Sequence, residues 1–113
     1  MISRGDICWA DFGPIVDRSP AKRHPVVVVQ ANHYTHSSLG TIIVATMTSA
    51  TRRAMVAGNV FVPATASGLA HDSVVIATEL QTLDRESMGE PVGTVPATLM
   101  RDVDAGLRRV LNL

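Results

Sequence analysis

The sequence predicts a mainly β domain, a small barrel or strongly bent sheet, with one amphipathic helix at its C-terminal end. Three observations carry this expectation. Most apolar segments are short, rich in β-branched residues and bounded by turn formers, the pattern of strands. The run Pro25-Val26-Val27-Val28-Val29-Gln30 is almost continuously β-branched, as suits a strand covered on both faces. Only the last stretch repeats at helical spacing: Leu99, Met100, Val103, Leu107, Val110 and Leu111 share one side, with Arg101, Asp102, Asp104 and Arg108 mainly opposite.

In chain order, residues 7–12 mix Ile, Cys, Trp and Phe after the turn pair Gly5-Asp6 and form the first predicted strand. Residues 13–24 read as a loop with two prolines and several charges, and 25–30 as the buried strand. The polar stretch 31–40 has room for one helical turn around His33 and Tyr34. Strands follow at 41–48, 59–62 and 73–77, with a polar, basic loop at 49–53. Residues 79–83 alternate and continue the sheet, and 92–95 form a short last strand. Pro96 suits the first helical position, where its missing N–H costs nothing. Trp9, Phe12, Tyr34 and Phe61 are able to stack bases, but with so few aromatic residues Trp9 and Phe61 are assigned to the core; Cys8 packs as a small apolar residue, and Asp72 caps or orders the turn entering its strand.

Composition bounds the function. At 113 residues with 46% hydrophobic and 18% charged residues, residues 1–113 suit one globular domain rather than a disordered chain. No apolar run approaches the roughly 18 residues of a membrane span, and the start lacks a secretion signal. A single cysteine excludes an internal disulfide. These features predict a soluble, reduced, cytoplasmic protein with no membrane partner. The net charge is +0, but residues 1–53 carry six cations against three acids, and residues 54–104 two against seven. All cations but Lys22 are arginine, whose planar fork suits phosphate. A local basic site on a neutral body fits; a broad duplex-binding surface does not.

No zinc-protease, phosphate-loop or nucleophile-elbow motif occurs. His33 and His36 stand three apart, but no carboxylate nearby completes a metal set, so a solvated polar loop is the simpler reading. Lys22-Arg23-His24-Pro25 opens directly into the stiff valine strand. Such a cluster suits RNA phosphodiester cleavage, because the 2′-hydroxyl is the nucleophile. The protein then needs to supply only a proton acceptor, a charge stabiliser and a proton donor. Alone, a basic loop at a strand start reads equally as a solvated edge. Thr46-Met47-Thr48-Ser49 and Thr51-Arg52-Arg53 end another strand with hydroxyls and cations able to bind a phosphate, although threonine is also ordinary in strands.

Taken together, Gly5-Asp6-Ile7-Cys8-Trp9-Ala10-Asp11-Phe12, then Arg23-His24-Pro25-Val26-Val27-Val28-Val29, residues 42–49, Asp72-Ser73-Val74, Glu79-Leu80-Gln81-Thr82-Leu83-Asp84, Val92-Gly93-Thr94-Val95 and the final helix resemble the MazF/PemK family of toxin endoribonucleases. The resemblance implies an SH3-like barrel of the MazF/CcdB/Kid type with a C-terminal amphipathic helix. It implies a homodimer that cuts single-stranded RNA without a metal or other cofactor, leaving a 2′,3′-cyclic phosphate and a 5′-hydroxyl. The implied partner is a MazE-like antitoxin with an acidic C-terminal segment. The family pairs an arginine just before the loop-to-strand proline with a threonine ending the next long strand. Thr48 takes the threonine position with Ser49 beside it; His24 holds the arginine position, with Arg23 one residue earlier. Three readings stay open: Arg23 substitutes, His24 acts as acid or base, or catalysis is weakened. Ser19 stands where the family loop often has an acid, Thr78 and Glu79 match RNA-contacting positions, and Arg52 and Arg53 flank the expected groove. A CcdB-like gyrase toxin, or a homologue that only binds antitoxin, are the alternatives.

Overall fold

The computed structural model describes residues 1–11 and 23–113. Ser19, Phe12 and Lys22 therefore lie outside the described residues. Within them the strands are β1 (Asp6–Asp11), β2 (Arg23–Val28), β3 (Thr41–Thr48), β4 (Val60–Val62), β5 (Ser73–Asp84) and β6 (Gly93–Thr94). They form one antiparallel sheet in the order β4-β5-β3-β2-β1-β6. The helices are α1 (Asn32–Thr35), α2 (Ala64–Ser67) and α3 (Ala97–Leu111). The fold is thus mainly β with a C-terminal helix, as the patterning predicts.

The valine strand is central and covered on both sides. Val27 joins Ile7, Ala45, Met47, Val60, Val62, Val75 and Val95 beneath Met100, Val103 and Leu107 of α3. Val26 and Val28 join Cys8, Ala10, Ile42 and Val44 in a second core on the opposite face. Period-two alternation assigns neighbours to different cores, so a continuous apolar run is what such a strand requires. Burial, reinforced by Asp6 and Glu90, pushes the Cys8 thiol up to about 11.

The sheet bends at β5. Ala45 pairs with Leu80 but Met47 pairs with Val75, so residues 76–79 form a bulge opposite Thr46, with Ile76 and Ala77 buried. The bulge is fastened from outside. Asn59 Oδ1 accepts the Ala77 N–H at 3.0 Å, and its Nδ2 donates to the Arg53 carbonyl at 3.0 Å. Arg53 Nη2 donates to Glu79 Oε2 at 2.7 Å. The loop expected at 49–53 is in part a 3-10 turn, Thr51–Met55, from which Arg53 reaches the bulge.

Helix α3 lies on the sheet through Met100, Val103, Gly106 and Leu107. Gly106 presses on Gly58, where an added Cβ would collide with the Gly58 carbonyl. Arg4 ties the helix to β2, donating from Nε to the Val29 carbonyl at 2.8 Å and pairing through Nη2 with Asp104 at 2.7 Å. Among the described residues no helix is long and apolar enough to cross a membrane.

Three expectations need correction. Trp9 and Phe61 are not core residues, being 36% and 41% exposed. Phe61 lies between the buried Val60 and Val62, so alternation turns it outward, whereas Trp9 shares the face of the buried Ile7 but sits farther along β1, outside that core. Arg23 and His24 belong to β2 rather than to the preceding loop, because pairing with Asp11 and Ala10 extends the strand. Asp72 reaches back across the loop, its Oδ1 accepting the Ala64 N–H at 2.8 Å at the start of α2.

Candidate active site

Antiparallel pairing brings four chain segments to one end of the sheet. β1 ends beside the start of β2, with Trp9 opposite Pro25, Ala10 opposite His24 and Asp11 opposite Arg23. β2 runs antiparallel to β3 with Val26 opposite Thr46, a register that leads His24 toward Thr48. On the other side of β3, Thr48 pairs with Val74, which sets the loop before β5 against the same end. A cleft of about 260 Å³ lies across this row.

Its lining joins the residues on which an RNA-cleaving site would depend. Arg23, His24, Thr48 and Ser49 all border it. Adjacent residues of a strand point to opposite faces, but the cleft crosses the strand end, so Arg23 and His24 both reach it. The Arg23 guanidinium runs along Gly89, where a Cβ would stand 3.8 Å from Nη2. Thr48 Oγ1 accepts the Ala50 N–H at 3.2 Å, which fixes its rotamer and leaves the hydroxyl proton available to a phosphate oxygen.

The other predicted contacts gather elsewhere. Arg52, Arg53, Thr78 and Glu79 do not line the cleft. They lie on the 3-10 turn and the β5 bulge, with Arg53 and Glu79 joined as an ion pair whose side chains are 38% and 42% exposed. Ser19 is outside the described residues. Of the histidine pair, His36 Nε2 sits 2.9 Å from the Ile2 carbonyl and 3.2 Å from Ser3 Oγ, and His33 stacks edge-on with Tyr34 at 5.5 Å.

Sequence reasoning missed part of the wall. Trp9 closes the cleft on the β1 side, and Leu69, Ala70, His71 and Ser73 close it on the far side. Nothing local marks His71; only the β3–β5 register carries it to the cleft. A larger hollow of about 620 Å³ lies between α1, β3 and the end of α3. Its lining is mostly apolar, and its Arg4 and Asp104 satisfy each other, so it offers area to bury rather than convergent chemistry.

Known proteins resemble this arrangement throughout. Endoribonuclease MazF6 of Mycobacterium tuberculosis is 51% identical over 113 residues, covering 100% of this chain and 99% of that protein. Endoribonuclease EndoA of Bacillus subtilis is 28% identical, covering 100% and 97%. Among solved structures, a MazE-MazF crystal structure from Deinococcus radiodurans superposes with a TM-score of 0.79 at 25% identity, covering 99% of this chain and 96% of that one. The sequence pattern of the PemK-like, MazF-like toxin of type II toxin–antitoxin systems matches residues 3–111. With the fold, the cleft and this match in agreement, the chain belongs to the PemK-like, MazF-like toxin family.

Proposed function

We propose that the chain is an endoribonuclease toxin that cuts single-stranded RNA by attack of the ribose 2′-hydroxyl, without a metal, leaving a 2′,3′-cyclic phosphate and a 5′-hydroxyl. The observation that carries this reading is the cleft in which Arg23, His24, Thr48 and Ser49 converge. Relatives named as endoribonucleases support the reaction class. The O2′–P bond forms as the P–O5′ bond breaks; one proton leaves O2′ and one reaches O5′. Arg23 faces the charge that develops on the phosphorus oxygens. His24 moves a proton, its ring offering both a donor and an acceptor nitrogen. The Thr48 and Ser49 hydroxyls hold the scissile phosphate.

Unpaired bases supply the sequence preference, since single strands expose the edges that a protein reads. Trp9 is placed to stack on one base at the cleft, and Arg52, Arg53, Thr78 and Glu79 contact RNA beyond Ser49. The working unit is a homodimer, as the family resemblance implies. Its antitoxin covers the RNA path with an acidic segment, a partnership supported by the similarity to a MazE-MazF structure.

The test is cleavage of a long single-stranded RNA with EDTA present. Discrete cuts with cyclic phosphate ends are expected, and Arg23→Ala, His24→Ala and Thr48→Ala should each slow cleavage by about 10²-fold or more. Intact RNA in the presence of the folded, antitoxin-free protein overturns the reading.

A further inference from the structure

We propose that His71 is the second proton-transfer group of the cleft, working across from His24. This rests on the endoribonuclease reading above. That reaction moves two protons, one from O2′ and one to O5′, and one neutral or charged imidazole cannot do both in a single step. Arginine holds its proton at all working pH values, and the Thr48 and Ser49 hydroxyls titrate far above them. Among the described residues lining the cleft, His24 and His71 are the ones whose rings carry both a proton-donating and a proton-accepting nitrogen.

The two imidazoles enter from opposite walls. His24 comes from β2, and His71 from the loop joining α2 to β5. That loop is firmly held, as a proton-transfer group requires. Gly68 turns it in the left-handed region at φ 78°, and Ser67 Oγ accepts the Leu69 N–H at 3.0 Å. Asp72 accepts the Ala64 N–H, and Ser73 Oγ donates to the His71 carbonyl at 3.3 Å. The backbone of His71 is thereby fixed on both sides, and the exposed residue lines the cleft. The charged or ionisable groups that line the cleft with it are Arg23 and His24 from β2; Asp72 follows it on its own loop, and Asp11 pairs with Arg23 at the end of β1. β3 contributes only the neutral Met47, Thr48 and Ser49. In the step itself, one imidazole accepts the O2′ proton as the O2′–P bond forms. The opposite imidazolium donates its proton to O5′ as the P–O5′ bond breaks, and the total charge is unchanged.

The experiment measures kcat/KM on a short cleavable RNA from about pH 5 to about pH 9 for the full chain and for His71→Gln, which keeps a hydrogen-bonding end but does not titrate. The native protein should give a bell-shaped profile. His71→Gln should lose about 10²- to 10⁴-fold and one limb of the bell, with its melting temperature and its affinity for a 2′-deoxy analogue retained. His24→Gln should remove the other limb. A His71→Gln enzyme within a few-fold of native, or one that is slower with both limbs intact, overturns the proposal by leaving His71 a wall or a binding contact. Native protein that cuts no RNA overturns the endoribonuclease reading itself, a result separate from either of these.

Discussion

Cys8 shows how a residue outside the cleft shapes the response to pH. Its thiol is fully buried and its pKa is pushed up from 9.0 to about 11, chiefly by burial. Below about pH 9 the thiol is protonated in folded and unfolded chains alike, and stability does not depend on it. As the pH climbs through this window the unfolded thiol ionises first, so the unfolded state binds fewer protons and stability falls. Two pKa units correspond to a loss of about 3 kcal/mol at most. Denaturant titrations at about pH 8 and about pH 11 should show this decline in the native protein and a smaller one in Cys8→Ala. An equal decline in both proteins assigns the alkaline sensitivity to other groups.

At the scale of elements, α3 illustrates a contest between propensity and packing. Alanine is a better helix former than glycine by about 1 kcal/mol, so Gly106→Ala on an open helix face would stabilise. Here the new methyl meets the Gly58 carbonyl, which is backbone and cannot rotate away. Overpacking of this kind costs about 1–3 kcal/mol, so the melting temperature of Gly106→Ala should fall by several degrees. A rise would mean that helix and turn separate easily. The same scale explains what could be read in advance. Strands β2 and β3 and helix α3 were legible because period-two and helical patterns are local, and Thr48 fell at its strand end without any structure. Alternation alone turns Phe61 outward, but the exposure of Trp9 depends on where the core beneath Ile7 ends, which no local pattern carries. The short turns α2 and Thr51–Met55 carry too few residues for any period to register. The β5 bulge was invisible because it is a mismatch between two strands, a property of neither sequence alone.

For the whole molecule, charge decides how RNA is held. The formal charge is +0, and Arg53 is neutralised locally by Glu79, which among the described residues leaves Arg23 and Arg52 as the main cations near the proposed RNA path. Each neutralised phosphate on a single strand contributes about −0.7 to the slope of log affinity against log salt. Two or three contacts predict a slope of about −2, measurable by anisotropy with a non-cleavable 2′-deoxy oligonucleotide. A slope near −5 would place a broad basic surface on the protein and overturn the picture of a small cationic notch. The walls of that notch come from residues 9, 23–25, 47–49, 69–71 and 73, so they are completed in order as the chain is made. A nascent polypeptide halted on its ribosome before residue 69 owns one side of the notch and no opposite side. Translation must pass that point, and the sheet must close, before the notch exists at all.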